Sequence, residues 1–543
     1  MAIQTKPVVI NINEDKTWSH TFNSFSAKVF IPKNDLPGSV VNFGFSAPYF
    51  IVLTDTQFTD SQASSYAAES GLGKIAAAYD SSVVFISPLC DGGWAKAPTG
   101  IFEELIENSK IHQYHEDGIA ILNNRFFHTN EGFAIRGAIF RTCLIGKGAA
   151  ADYIAKNLIK KIEGTGLWGP ADVAPTVCVL ENLSVIPEIG RRDMPIVSVG
   201  NSEECNAAIK SGVDYSLIQD SWNFDEAFKF TKQFKRWGWV GDLQLEPDFD
   251  ELGMVEEAAV VELETSKDNG GDAAGTKSHK VGYISYYNKN LFEVGPAPLL
   301  LCFHGGGDSA KHIAQVSEWY KVAHDHNFLL VCVEDHINST ATEMMQLLKH
   351  LKKTYLIEET RIYASGFSMG GCKTWDLYQE YPEVFAALAP MDATFDHGQN
   401  LYGQPSPGYH GSGVINDKVM VPVFYAGGEE TPLPELPCQA QKCLDRMAYV
   451  MKVNNCKTEY DVKFDNQANW KDKIWGISGD KVEKIEDKSR NSILTLNYFE
   501  SKDGGTYTVF ASISGQGHEC RYHTCEYAWR FMSQFRRVGT DIQ

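Results

Sequence analysis

Three short motifs in the second half of the chain combine residue types that perform acyl transfer. Gly366-Phe367-Ser368-Met369-Gly370 is a G-x-S-x-G pentapeptide, with a further glycine at Gly371. A serine on a sharp strand-to-helix turn lifts its hydroxyl above a sheet, and small flanking residues keep the turn free of clashes. The start of the following helix favours developing negative charge. His304-Gly305-Gly306-Gly307 closes the apolar run Leu300–Phe303. Bare backbone N–H groups at Gly306 and Gly307, with that of Met369, are candidate donors to a tetrahedral oxyanion.

The third motif supplies a base. Val509–Ser514 reads as a strand and leads into Gly515-Gln516-Gly517-His518. A histidine on the loop after a late strand reaches such a serine and takes its proton. His523 falls in the helix that follows and reads as a surface or capping residue. A carboxylate that orients the imidazole should lie between serine and histidine in the chain. Glu430, in Gly427-Gly428-Glu429-Glu430-Thr431-Pro432, is the first candidate and Glu429 the alternative. Asp392 and Asp396, after the preceding strand, are fallbacks. His304 should support the oxyanion loop or touch substrate. Trp470, Trp475, Tyr402 and Tyr409 are candidates to line the mouth, against the plainer reading that they pack irregular segments.

These side chains need elements to hold them. From about residue 295 apolar runs alternate with helical spacing: Pro298–Phe303, Ala310–His326, Phe328–Glu334, Thr340–Tyr355, Arg361–Ala364, Lys373–Tyr381, Phe385–Pro390 and Val419–Ala426. Such alternation predicts a parallel sheet covered by helices. The first half follows the same pattern, with strands at Tyr49–Leu53, Val83–Pro88, Ile139–Leu144 and Pro195–Gly200. Its helices are expected at Ala149–Ile162 and Asp225–Arg236.

The two halves share a terminal signature. Ala227–Arg236 aligns with Ala528–Arg537, with Ala, Phe, Gln, Phe and Arg at matching offsets. This predicts a divergent duplication, with domains at 1–245 and 246–543. Gly146 then stands where a turn serine would be, and Gln219–Asn223 carries no histidine, so the first half reads as unarmed. Packing, dimerisation or shaping the entrance of the other site are its expected roles, and an unrelated accessory domain is the alternative. Thr265–Lys280 has the composition of a linker, though its flanking strand-like runs also fit a hairpin tip.

Composition excludes some classes. The 543 residues carry 49 Lys and Arg against 69 Asp and Glu, a formal charge of −20. That disfavours nucleic acid and anionic membranes as partners. No run of about 18 apolar residues predicts a membrane span. The opening residues show no secretory leader, so a cytoplasmic protein is expected unless a leader has been removed. The 12 cysteines form no C-x-x-C pair, which disfavours zinc. Cys438/Cys443 and Cys520/Cys525 are the pairs spaced for disulfides.

On HGGG at 304–307, GFSMGG at 366–371, the Gly-Gly-Glu-Glu turn and Gly-x-Gly-His at 515–518, residues from about 255 to 540 resemble the α/β-hydrolase superfamily. The nearest branch is that of poly(3-hydroxybutyrate) depolymerase-like and feruloyl-esterase-like carboxylesterases. The resemblance implies a serine esterase with a Ser-carboxylate-His triad and an acyl-enzyme intermediate, with neither metal nor cofactor. Its substrate would be a hydroxycinnamoyl, short acyl or polyester-type ester. A peptidase, lactonase or thioesterase on the same triad, or a binding protein with a vestigial fold, is the alternative. Two departures stand out: Glu where related enzymes commonly have Asp, and a long excursion at 453–506 before the histidine.

Overall fold

In the computed structural model the described residues are 14–33, 48–79, 81–105, 141–160, 163–166, 169–172, 174–236, 243–271, 273–306, 308–334, 336–394, 414–488 and 491–543. Gly307, Asp396, Tyr402 and Tyr409 lie outside them. The chain divides into two compact units, meeting in sequence at Asp248 and Phe249.

The first unit holds one eight-stranded sheet. Its strands are β1 (Lys16–Thr21), β2 (Phe25–Ile31), β3 (Tyr49–Leu53), β4 (Val83–Pro88), β5 (Thr142–Lys147), β6 (Val177–Glu181), β7 (Ile196–Val199) and β8 (Ser216–Gln219). Their spatial order is β1-β2-β4-β3-β5-β6-β7-β8. In β3, Tyr49, Ile51 and Leu53 enter one apolar cluster while Phe50 and Val52 enter another. A parallel strand buried on both faces therefore reads as a continuous apolar run.

The second unit holds a ten-stranded sheet. Its strands are β9 (Met254–Glu264), β10 (Ser278–Asn288), β11 (Ala297–Phe303), β12 (Leu329–Val333), β13 (Ile357–Phe367), β14 (Ala387–Met391), β15 (Val423–Gly428), β16 (Lys481–Asp487), β17 (Ser492–Glu500) and β18 (Thr506–Ser514). The order is β9-β10-β12-β11-β13-β14-β15-β18-β17-β16. Its first eight positions repeat the first unit strand for strand. Both sheets begin with two antiparallel pairings, and both then run parallel to the eighth strand. The excursion contributes β16 and β17, which extend the second sheet antiparallel to β18.

The terminal signature has a structural basis. In each unit a helix, Phe224–Thr231 or Tyr522–Met532, ends before the shared arginine. Arg236 is buried and donates to the Pro175 and Asp193 carbonyls, just ahead of β6 and β7. Arg537 is buried and donates to the Phe385 and Met420 carbonyls, just ahead of β14 and β15. The same guanidinium fork thus ties the starts of the same two strands in both units. The helix expected over Asp225–Arg236 is accordingly shorter, because Phe234–Arg236 leaves it to pair with Leu243–Leu245.

One helix expectation changes, and the hairpin reading of Thr265–Lys280 holds. Ala310–His326 is two helices, Ala310–Val316 and Trp319–His326, broken where Glu318 adopts a φ of 54°. Thr265–Lys280 is the tip of the β9–β10 hairpin, and it is anchored. The Ser266 N–H donates to Glu343 Oε1 at 2.8 Å, and Asn269 Nδ2 donates to both Glu343 oxygens at 3.0 Å and to the Asn338 carbonyl at 2.9 Å. Glu343 is fully buried and also closes the capping box of helix Ala341–Thr354 with Thr340. A linker-like composition here supplies donors for a buried carboxylate.

Candidate active site

Strand β13 carries the chain straight into Ser368, and helix Met369–Glu380 begins at the next residue. Ser368 adopts φ 53° and ψ −117°, a conformation that side chains with a Cβ rarely occupy. Its N–H donates to the Met391 carbonyl at 2.9 Å, and its own carbonyl accepts from the Cys372 N–H at 3.0 Å. The turn is held tightly from both sides. A Cβ on Gly366 would fall far inside contact with the Gly370 carbonyl, and one on Gly370 would collide with the Phe303 carbonyl. A Cβ on Gly371 would approach Ala393 Cβ and the Met391 carbonyl to 2.9 Å. These three glycines let the strand, the helix start and the oxyanion strand approach backbone to backbone.

The loop that starts at His304 leaves β11 directly beside this turn. A Cβ on Gly306 would lie 3.1 Å from Met369 Cγ, which brings Gly306 and Met369 together as expected. His304 is buried and holds the loop. Its Nδ1 faces the Gly305 carbonyl at 2.7 Å and its Nε2 the Glu334 carbonyl at 2.6 Å. His336 holds the same loop, its Nε2–H donating to the His304 carbonyl at 2.9 Å. His304 is therefore a support, and the alternative of substrate contact is set aside.

His518 sits on the loop between β18 and helix Tyr522–Met532, with 7 % of its surface exposed. Its ring centroid is 4.7 Å from that of Phe367, the residue before the serine. Burial drives its pKa down to about 4, partly opposed by the negative charge of Asp308. The neutral imidazole, the form that accepts a proton, is favoured across ordinary pH. His523 lies within the helix, as expected.

Beside His518 Nδ1 the described loops place a hydroxyl, and Asp396, one of the carboxylate candidates, lies outside the described residues. The hydroxyl is Thr431 Oγ1, 3.3 Å away. After β15 the Glu429 and Glu430 N–H groups donate to the Ile513 and Gln516 carbonyls, each at 2.9 Å, so this loop runs beside the histidine loop. In that register Glu429 accepts from Ser512 Oγ at 2.8 Å and Glu430 points to solvent. The third side chain, Thr431, turns in. Asp392, buried at φ 46°, accepts the Gly428 N–H at 3.0 Å. Burial raises its pKa well above the usual carboxylate range.

The two tryptophans do not line the site. Trp475 is fully buried, stacked on Phe510 at 5.2 Å and edge-on to Tyr425. Trp470 packs over Gly476 and donates to the Lys463 carbonyl at 3.0 Å within the excursion. All twelve cysteines are free thiols, and the Cys520 and Cys525 sulfurs lie 3.5 Å apart. Among the described residues no group of three His, Cys, Asp or Glu side chains could hold a metal, and no helix is long and apolar enough to cross a membrane.

The first unit keeps the turn without its serine. Gly148, not Gly146, is the equivalent of Ser368. It has φ 58° and ψ −123°, directly between β5 and helix Ala149–Asn157. Its N–H donates to the Glu181 carbonyl at 2.8 Å, as that of Ser368 does to Met391. Gly146 matches Gly366, since a Cβ there would crowd Ala150 and Ala151 at the helix start.

Strand order, turn and loop positions are those of the α/β-hydrolase fold. No family model matches the chain. A stretch of 252 residues, 45 % of the chain, is 23 % identical to the bifunctional acetylxylan esterase/xylanase XynS20E of Neocallimastix patriciarum, covering 32 % of that protein. The chain thus spans about a third of the length of that relative. Among solved structures, an acetyl xylan esterase from Aspergillus awamori is 12 % identical over 51 % of this chain and 99 % of that one, with a TM-score of 0.33. An S-formylglutathione hydrolase (FrmB) from Staphylococcus aureus is 13 % identical over 37 % of this chain and 88 % of that one, with a TM-score of 0.27.

Proposed function

We propose that the second unit is a serine hydrolase of carboxylic esters. The observation that carries this reading is Ser368 held at a strained turn, backed by glycines, with a buried neutral histidine beside Phe367. In this mechanism His518 takes the proton of Ser368 as Oγ attacks the ester carbonyl. The oxyanion is met by the N–H of Met369 and by the loop at Gly306 and Gly307. Protonated His518 then gives its proton to the leaving alcohol. Water, activated by the same imidazole, releases the acid from Ser368.

The relative's name supports an acetyl ester of a carbohydrate as the first substrate to try, ahead of hydroxycinnamoyl and polyester-type esters. The first unit, with glycine at 148 and no histidine in 219–223, is proposed as a non-catalytic copy. The test is hydrolysis of p-nitrophenyl acetate, methyl ferulate and acetylated xylan by the full chain and by Ser368→Ala. Turnover that falls roughly 10³-fold or more in the variant is expected. Equal rates in the two proteins would sink the assignment.

A further inference from the structure

Asp392, the residue just past β14, is buried and has no part in the mechanism above. We propose that it is a positioning residue for the base: its carboxyl fixes the end of β15, on which the loop carrying His518 is seated, and so sets where the imidazole meets Ser368. This rests on Ser368 and His518 being nucleophile and base.

Three observations support it. First, the residue is costly where it stands. Asp392 has a φ of 46° and is 2 % exposed. Left-handed backbone suits glycine better than a residue with a Cβ, and a buried carboxyl gives up its hydration. Glycine would meet the backbone demand alone, so the carboxyl is the part that needs a use. Second, residue 392 grips β15 twice. Its N–H donates to the Ala426 carbonyl at 2.8 Å, and its Oδ1 accepts the Gly428 N–H at 3.0 Å. The carboxyl also accepts from the Glu519 N–H, next to the histidine, which it shares with the Gly517 carbonyl. A carboxyl keeps acceptor capacity in either protonation state. Third, the gripped strand end is the seat of the base loop. A Cβ on Gly428 would fall far inside contact with the Gly517 carbonyl, so the two backbones touch. The next two N–H groups, of Glu429 and Glu430, donate to the Ile513 and Gln516 carbonyls at 2.9 Å. Met391 completes the connection to the nucleophile. Its carbonyl accepts the Ser368 N–H at 2.9 Å, and its Sδ lies 3.3 Å from Cys520 Sγ, two residues past the base. The serine turn therefore hangs on residue 391 and the base loop leans on what residue 392 holds. Removing the carboxyl frees Gly428 and lets the imidazole drift, while the serine turn keeps its own support.

The test measures kcat and KM for p-nitrophenyl acetate in the full chain, with the rate of fluorophosphonate labelling of Ser368 as a second readout. Asp392→Ala should lower kcat and the labelling rate about 10–100-fold and leave KM within about threefold, since a base displaced by about 1 Å slows proton transfer without changing how the ester binds. Asp392→Asn keeps one acceptor oxygen and turns an amide nitrogen toward the other N–H, so it should lie between alanine and wild type. Free imidazole added to the assay should recover the Asp392→Ala rate about threefold or more and leave wild type unchanged, because the serine turn is intact and only the base is out of place. Asp392→Ala with the wild-type kcat, a loss carried by KM alone, or a loss that imidazole leaves untouched overturns the proposal. If Asp392→Ala fails to fold, Asp392→Asn decides on the same kcat and imidazole criteria. A wild type that labels but cleaves no ester defeats the esterase reading, and the labelling rates then decide for Asp392. Equal hydrolysis by wild type and Ser368→Ala defeats both.

Discussion

Replacing the nucleophile with glycine should make the protein more stable while abolishing turnover, and the first unit supplies the mirror experiment. Ser368 and Gly148 share one backbone conformation, φ 53° and 58°, ψ −117° and −123°. A residue with a Cβ pays roughly 1–3 kcal/mol to sit there. Glycine avoids that strain but loses about 0.5–1 kcal/mol more chain entropy on folding. The difference predicts that Ser368→Gly stabilises its unit by about 0.5–2 kcal/mol. Gly148→Ala should destabilise the other by the same amount. Gly148 is the cleaner site, because a Cβ there meets nothing within 4 Å and the backbone alone sets the cost. At about 2–4 °C per kcal/mol for units of this size, melting points should shift about 1–8 °C in opposite directions. Urea unfolding followed by tryptophan fluorescence and calorimetry would read both, since two units can give separate transitions. A neutral or stabilising Gly148→Ala, together with a neutral Ser368→Gly, would refute the claim that this turn stores strain.

Gly370→Ala should be far more damaging than either, because its Cβ would strike the Phe303 carbonyl and force the oxyanion strand away. We expect a loss of more than about 3 kcal/mol and of activity together, read by urea titration and ester hydrolysis. Asn269→Ala removes two donor contacts to buried Glu343 and one to the Asn338 carbonyl and should cost about 2–3 kcal/mol, despite lying in a hairpin tip; a cost under about 0.5 kcal/mol would show that the anchor is idle. His518 should make the fold acid-sensitive. Its folded pKa of about 4 lies below the ordinary 6.5, so the unfolded chain binds the proton first as pH falls. The stability present above pH 6.5 is lost between 6.5 and 4, by about 3 kcal/mol in all. His518→Gln should flatten that part of the pH–stability curve, compared at pH 7.5 and 4.5.

Much of this was legible in the residues. The central strands announce themselves because a strand buried on both faces must be apolar throughout, as Leu299–Phe303 is. The glycine motifs were readable for a related reason: only glycine tolerates the backbone approaches at 366, 370 and 371. Histidine after the last parallel strand followed from topology. The acid was harder to read, since residue type favoured Glu430, whereas that side chain is exposed and Thr431 faces the imidazole. The same gap misplaced the empty turn by two residues, because Gly146 and Gly148 are chemically identical and only φ separates their roles. Trp475 follows the plainer of its two readings and packs into the core, a choice that aromatic content alone does not make.

The placement of β18 has a consequence for biosynthesis. It enters the sheet beside β15, yet the long excursion with β16 and β17 is made in between. Ser368 and the loop after β11 therefore leave the ribosome well before His518, the base of the proposed mechanism. A growing chain can assemble β9 to β15 in order, but it cannot acquire a base until the strand preceding His518 has slotted in. Nascent molecules, and any released early by truncation before this strand, should be chemically silent, so acyl transfer begins only on chains long enough to have closed their sheet.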